Sequence, residues 1–215
     1  MKSTKLFLIL GAATALTFSA CAQRGTVNVD TTNDTAGATG GLDYRDFQKV
    51  ASEVLQDLFR TQRLVHKGPN GLPDGKQYVV AIGKITNDTK IRDISTDQLL
   101  WKIREELTNS GQVLISSAVG TGDNVESAIH DARQLRGDQE FNQATVAKTG
   151  TLLAPDLIIS GKIFQKNNRL NSSTTQAEYY FQLKISSVST GTDFWNKEIP
   201  LVKRGDAAGM RLQQL

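Results

Sequence analysis

Few residues in this chain have the type and spacing that catalysis or metal binding requires. The 215 residues include two histidines and one cysteine. His66 lies in a turn-rich loop and His130 on a predicted helix, and neither belongs to a sequence motif typical of catalysis. A single cysteine excludes both an intrachain disulfide and a cysteine-based metal cluster. We therefore expect both histidines to be solvated or packing residues.

One glycine-rich stretch has part of a nucleotide-binding pattern. The sequence GTGDNV at 120–125 contains two of the three glycines of a dinucleotide fingerprint, but its last position is not glycine. Asp123 is predicted instead to cap the N-terminus of the helix that follows. The adjacent carboxylates Glu105 and Glu106 fall on an exposed helix face, where solvation is expected. The sequence thus predicts no enzyme, no cofactor and no metal site.

The single cysteine follows a segment with the pattern of a secretion signal. Two lysines come first, and residues 6–18 then form an apolar run. A run of about a dozen residues is too short to cross a bilayer as a helix, which requires roughly 20. It has the length of the apolar part of a signal peptide. We therefore predict a signal peptide over residues 1–20.

The residues around Cys21 resemble the lipobox of bacterial lipoproteins, in which the cysteine is acylated and becomes the N-terminus after cleavage. Ser19 and Ala20 supply the small residues, whereas Phe18 stands where the pattern has an aliphatic residue. The alternative is an ordinary secretory signal with Cys21 incidental. Under the resemblance, several acyl chains anchor the protein stably in lipid. Ala22, rather than aspartate, then implies the periplasmic face of the outer membrane.

Charge gives no reason to expect nucleic acid as a partner. Once the two lysines of the signal are removed, 23 basic side chains remain against 22 acidic ones. A nearly neutral chain has no electrostatic attraction for a polyanion. The class of nucleic-acid-binding proteins is therefore not expected.

Composition divides the rest of the chain into a tether, one domain and a tail. Residues 21–42 are rich in threonine, glycine, asparagine and aspartate and contain no proline. Such a segment buries too little apolar surface to offset its chain entropy, so we predict a flexible tether. Its typical span is about 25 Å. A globular domain is predicted over 43–205, followed by a frayed tail at 206–215.

Three regions have the apolar spacing of amphipathic helices. A helix is predicted over 43–64 with Asp43 as its N-cap, and a second over 95–111 with a serine cap and a terminal glycine. Residues 123–149 are predicted to be helical in two pieces, broken at 136–138. Ten apolar side chains of the first two helices are expected to face the core: Phe47, Val50, Ala51, Val54, Leu55, Leu58, Leu99, Leu100, Ile103 and Leu107.

Runs of β-branched and aromatic residues predict the strands. The predicted strands are 77–86, 112–117, 156–165, 176–188 and 193–202. A turn at 189–192 makes the last two a hairpin. This element order predicts an α/β (α+β) fold, a mixed sheet of about five strands flanked by helices.

Three stretches of the chain resemble the LpoB family of outer-membrane lipoproteins. The first is LDYRDF at the start of the domain. The second is VVAIGKITNDTKIRDISTDQLLWKIREELTNSGQVLISS, a strand, a loop, a capped helix and a strand. The third joins VAKTGTLLAPDLIISGKIF to the later FQLKISSVSTGTDFWNKE. The likeness spans roughly residues 43–202 and implies a fold similar to the N-terminal domain of TolB.

The resemblance implies a binding function. Family members bind and activate a bifunctional, class A penicillin-binding protein and so regulate peptidoglycan synthesis. The long proline-rich tether of well-known members is replaced here by a short, proline-free one. The alternative is a CsgG-like lipoprotein that oligomerises into an outer-membrane secretion structure, in which 176–188 would supply a barrel strand.

The partner is expected to bind near the helix break and the turn before the third strand. Phe141 is the best candidate for an anchor, because aromatic residues dominate interface energetics; the alternative is that it packs inward. The predicted contact residues are Arg136, Gln139, Phe141, Asn142, Pro155 and Asp156.

Overall fold

A computed structural model describes residues 41–68, 72–92 and 94–206. The predicted signal peptide, Cys21, the tether up to residue 40 and the tail after residue 206 lie outside the described residues. Within the described ranges, no helix combines the length and apolarity needed to cross a membrane.

Two long helices begin at the capping residues that the sequence predicts, but the first ends four residues earlier than predicted. Helix α1 spans Tyr44–Arg60, and the Asp43 carboxylate accepts the backbone N–H groups of its first turn. Helix α2 spans Thr96–Ser110, with Ser95 as N-cap and Gly111 in the left-handed conformation at its end, at a φ of 64°. Both caps predicted for these helices are confirmed.

The five strands form one mixed sheet in the order β2-β1-β3-β4-β5. Strand β1 runs parallel to β2 and β3, whereas β4 is antiparallel to both β3 and β5. The predicted mixed sheet of about five strands is therefore confirmed. The strands are β1 Tyr78–Asp88, β2 Val113–Gly120, β3 Leu157–Arg169, β4 Thr174–Ser187 and β5 Asp193–Asp206.

Helices α1 and α2 cover one face of this sheet and form the core with it. All ten helix residues predicted to face inward are buried. Strand β4 alternates buried and more exposed residues from Ala177 to Ile185, as expected when one sheet face meets a core and the other meets water. Phe47 of α1 packs edge-on against Phe181 of β4, with ring centroids 6.3 Å apart.

A polar cluster joins α1 to the edge strand β5. The indole N–H of Trp195 donates to the Asp57 carboxylate at 2.9 Å, and Arg60 and Lys197 contact the same carboxylate at 2.9 and 3.4 Å. The hydrogen bond from Trp195, followed by that from Arg60, lowers the pKa of Asp57 to about 2. Asp57 is therefore ionised at every physiological pH.

Two close backbone approaches require glycine. Strand β1 contains a bulge between Ile82 and Ile85, and a Cβ at Gly83 would lie 2.6 Å from the carbonyl oxygen of Ile159. A Cβ at Gly161 would lie 2.5 Å from the carbonyl oxygen of Gln182.

The region between β2 and β3 differs most from its prediction. A short 3-10 helix spans Gly122–Asn124 and α3 spans Ser127–Gln134, capped by Glu126 rather than by the predicted Asp123. The second predicted helical piece is wrong, because residues 138–149 form successive turns. Apolar spacing persists in these turns without a sheet to receive an apolar face. No residue of α3 is buried.

Candidate partner-docking surface

Two hydrogen bonds attach helix α3 to the edge strand β2, and a third caps its first turn. The backbone N–H of Glu126 donates to the Ser117 carbonyl at 2.8 Å, and its carboxylate accepts the N–H of Ala128 at 3.2 Å. The His130 Nε2 lies 3.1 Å from the carbonyl oxygen of Ala118. These contacts hold an exposed helix of only eight residues, which would not be stable alone.

Two arginines then hold the chain as it returns from α3 toward β3. The Arg133 guanidinium donates to the Lys148 carbonyl at 2.7 Å and to the Thr151 hydroxyl at 3.0 Å. Arg136 donates to the Ala147 carbonyl at 3.1 Å. Arg136, predicted to contact a partner, thus also has a role in shaping the loop.

The side-chain amide of Gln143 organises the turn between the end of α3 and the segment that returns toward β3. It accepts the N–H of Gly137 at 3.0 Å and donates to the carbonyl oxygens of Leu135, Asp138 and Phe141 at 3.1, 2.6 and 3.1 Å. Gly137 has a φ of 88°, which glycine adopts readily. One exposed side-chain amide therefore replaces the backbone ladder that a second helix would have had.

The turn held in this way presents apolar side chains to solvent. Phe141 is 45% exposed, so the alternative that it packs inward does not hold. Leu152 and Leu153, in the segment that returns toward β3, are 44% and 61% exposed. Gln139 is also exposed. We call the segment 136–156 the docking loop.

The remaining predicted contact residues have local structural roles as well. The Asn142 side chain accepts the N–H of Ala144 at 3.1 Å and so shapes the turn. Asp156 bonds to Val79 of β1 through both its backbone N–H, at 2.7 Å, and its carboxylate, at 2.9 Å. Half-buried Pro155 directly precedes it. The structure thus places all six predicted residues in one loop, with Asp156 fixing the point where the loop joins β3.

Sequence reasoning missed the residues that shape and extend this surface. Gln143 and Arg133 act through side-chain hydrogen bonds to carbonyls 2 to 15 positions away along the chain, which no periodic pattern reveals. Leu152 and Leu153 resemble the start of a strand in sequence, yet they precede β3 and stay exposed. Only composition, two leucines beside a turn, could have drawn attention to them.

Other polar groups of interest lie outside the docking loop. His66 has an acidic partner that the sequence did not suggest, since its Nδ1 lies 2.8 Å from the Asp74 carboxylate. Its ring also packs on Tyr78, with centroids 4.6 Å apart. In the parts of the chain that the structure describes, no three His, Cys, Asp or Glu side chains cluster as metal ligands would.

Comparison with solved structures finds similar chains from several bacteria. The LpoB C-terminal domains of Salmonella enterica and Escherichia coli are 13% and 15% identical to this chain, each with a TM-score of 0.35. Each match covers 74% of this chain and 98% of the domain. A lipoprotein of Neisseria meningitidis is 10% identical, with a TM-score of 0.33, over 61% of this chain and 85% of its own.

Comparison by sequence identifies the family. No curated protein matches the chain. The family model described as peptidoglycan-synthase activator LpoB matches residues 46–201, nearly three quarters of the chain. The match extends from the first turn of α1 to strand β5 and includes the whole docking loop. The chain belongs to the LpoB family of peptidoglycan-synthase activators.

Proposed function

We propose that this protein binds a periplasmic domain of a class A penicillin-binding protein and favours the active conformation of that synthase. Membership of an activator family supports the activity. The docking loop is the surface proposed to contact the synthase. Its hydrogen bonds hold it in a defined conformation, and it exposes Phe141, Leu152 and Leu153. Exposed aromatic and aliphatic side chains on a preorganised loop lose little conformational entropy on binding, which favours their use as anchors.

Activation by binding requires unequal affinity for two states of the synthase. An activator shifts the equilibrium only by the difference between its affinities for the active and inactive conformations. Each tenfold shift requires about 1.4 kcal/mol of that difference. Burial of one exposed leucine or phenylalanine supplies a free energy of this order. The docking loop therefore has enough exposed apolar surface for a substantial effect.

The test is the rate of glycan polymerisation by a class A synthase from the same organism, with and without the purified full chain. We expect the full chain to raise the rate and Leu153→Ala in the docking loop to reduce that gain several-fold. Leu170→Ala is the matched control, because Leu170 is 49% exposed in the hairpin between β3 and β4. An unchanged rate with the full chain would contradict the proposed activity. Equal activity of both variants would contradict the proposed surface.

We further propose that residues 1–20 are cleaved as a signal peptide and that acylated Cys21 anchors the protein to the outer membrane. Residues 21–42 would then be the tether, and the globular domain would face the periplasm. Cys21→Ser should move the protein from the outer-membrane fraction to the soluble periplasmic fraction. Persistence of the variant in that membrane fraction would exclude Cys21 as the anchor.

The alternative of a CsgG-like secretion component has less support. The segment 176–188, which would have to supply a barrel strand, is almost entirely β4. Strand β4 is paired on both sides, to β3 and to β5, and its alternate side chains form the core. Releasing it would expose that core, so no observation favours this function.

A further inference from the structure

A separate cavity lies at the end of the sheet where α1 ends and where β1 and β5 begin. It has a volume of about 410 Å³, within the range typical of small-ligand sites. Its lining includes Gln62, Arg63, Lys67, Tyr78 and Phe194, and we call it the α1-end pocket. None of these residues belongs to the docking loop.

The apolar wall of the α1-end pocket is held in place by aromatic packing. The rings of Tyr78 and Phe194 meet edge-on, with centroids 5.5 Å apart and an interplanar angle of 72°. On its other side Tyr78 packs against His66, which is fixed by its 2.8 Å contact with Asp74. A wall formed by residues from β1, β5 and the loop after α1 is therefore preorganised before any ligand arrives.

The cationic side of the α1-end pocket has no acid to neutralise it. Arg63 and Lys67 are both exposed, and neither side chain has an acidic partner among the described residues. Asp74, the nearby carboxylate, is occupied by His66. The C-terminus of a helix attracts cations, which can account for Arg63 alone. Lys67 lies seven residues beyond the last residue of α1, outside the range of that effect.

Gln62 has a backbone conformation that glycine would adopt more easily. Its φ is 51°, and it is the one residue other than glycine with a positive φ in the described part of the chain. It occupies the left-handed position of a Schellman motif, in which Arg63 N–H donates to Leu58 at 3.2 Å and its own N–H donates to Phe59 at 3.1 Å. The motif accounts for the backbone conformation of Gln62, and the same residue lines the cavity.

We propose that the α1-end pocket binds the free C-terminal carboxylate of a peptide whose last side chain is apolar. The Arg63 guanidinium can donate two parallel hydrogen bonds to a carboxylate, and Lys67 adds a second positive charge. The Gln62 amide can bond to the last peptide group, while Tyr78 and Phe194 cover the apolar side chain. Cell-wall peptides ending in D-alanine and protein C-termini ending in L-alanine share this chemistry. The inference does not depend on the proposed activity of the docking loop.

The test is titration of the full chain in detergent, followed by ¹H–¹⁵N NMR. The probes are acetyl-Lys-D-Ala-D-Ala, its L,L isomer, the C-terminal amide of each, and inorganic phosphate. We expect saturable shifts at Gln62, Arg63 and Tyr78 with at least one of the two acids, and the isomer that binds more tightly identifies the source. Equal binding of the amides or of phosphate would overturn the proposal, as would no saturation by about 10 mM acid, a limit equivalent to a very weak site.

Two variants test recognition of the acid, and a third is their control. Arg63→Gln and Lys67→Gln should each weaken binding of the acid about tenfold, as expected for the loss of one charge-assisted hydrogen bond. Lys166→Gln, which removes an exposed cation elsewhere on β3, is the matched control and should leave the affinity unchanged. Affinities unchanged by the first two variants would overturn the proposed roles.

Gln62→Gly distinguishes a ligand-binding role from a purely structural one. Glycine relieves the left-handed strain, so we expect Tm to rise by about 2–4 °C, as for a gain of about 1 kcal/mol in a domain of this size. The same variant should weaken binding of the acid several-fold. A higher Tm with unchanged affinity would show that the Gln62 side chain takes no part in recognition.

Discussion

Replacing Phe141 by alanine is the most direct test of the docking loop. A phenylalanine has roughly 200 Å² of surface to bury, so the 45% that remains exposed corresponds to roughly 90 Å². At about 25 cal/mol per Å², full burial in an interface stabilises the complex by about 2 kcal/mol. The expected loss of affinity for the synthase is therefore about 30-fold.

Surface plasmon resonance with the immobilised periplasmic part of the synthase measures this effect. Phe141→Leu should recover most of the affinity, because leucine restores much of the apolar volume. Leu170→Ala should bind like the wild type, since its side chain is similarly exposed but lies outside the loop. Thermal unfolding checks the fold, and we expect Tm to fall by no more than about 4 °C, as for a loss of about 1 kcal/mol.

If Phe141→Ala folds normally and its Kd stays within about twofold of the wild-type value, Phe141 is not buried by the partner, since twofold is only about 0.4 kcal/mol. The docking loop would then be a structural connection, and another exposed part of the domain would have to bind the synthase.

Three further predictions concern the loop and the fold. Gln143→Glu should weaken synthase binding and speed amide exchange at Gly137, because a carboxylate cannot donate to the three carbonyls that Gln143 contacts; unchanged exchange would contradict this role. Asp57→Asn should lower the free energy of unfolding at pH 7 by at most about 2 kcal/mol, since the folded pKa of about 2 lies below the reference value of 3.8. That deficit should shrink as the pH falls from 4 toward 2 in urea titrations, because the unfolded carboxylate is protonated first and the folded one, with a pKa of about 2, follows. Gly161→Ala should cost about 1–3 kcal/mol by overpacking against the carbonyl oxygen of Gln182, whereas Ser160→Ala should be nearly neutral; equal costs would contradict the close approach.

The main elements of the fold could be predicted from local signals. Asp43, Ser95 and Gly111 act through bonds within one or two turns, so their capping roles are independent of the rest of the fold. The apolar periodicity of α1 and α2 selects the residues that become buried. The strands are longer than predicted, by three to four residues for β3 and β5, because pairing with β4 orders polar residues that have no strand pattern of their own.

The candidate surfaces could be predicted only in part. The sequence selected the helix break at 136–138, the turn before β3 and Phe141 as a candidate anchor, but it predicted a helix where 138–149 forms turns. The exposure of Phe141 and the organising role of Gln143 depend on contacts that form only after α3 has attached to β2. The α1-end pocket joins residues up to 133 positions apart along the chain, from Thr61 to Phe194, so no local pattern could have revealed it.

Residue type and short-range spacing alone specify the two-helix core, the strand order along the chain, the caps of α1 and α2 and the absence of familiar catalytic motifs. Only the tertiary contacts determine that 138–149 forms turns rather than a helix, that Asp57 is held by Trp195 of a distant strand, and that Arg63 lines a cavity with Tyr78 and Phe194. Each of these depends on side chains that meet only when the sheet has formed, and the free energy of such long-range contacts is not encoded in any single segment.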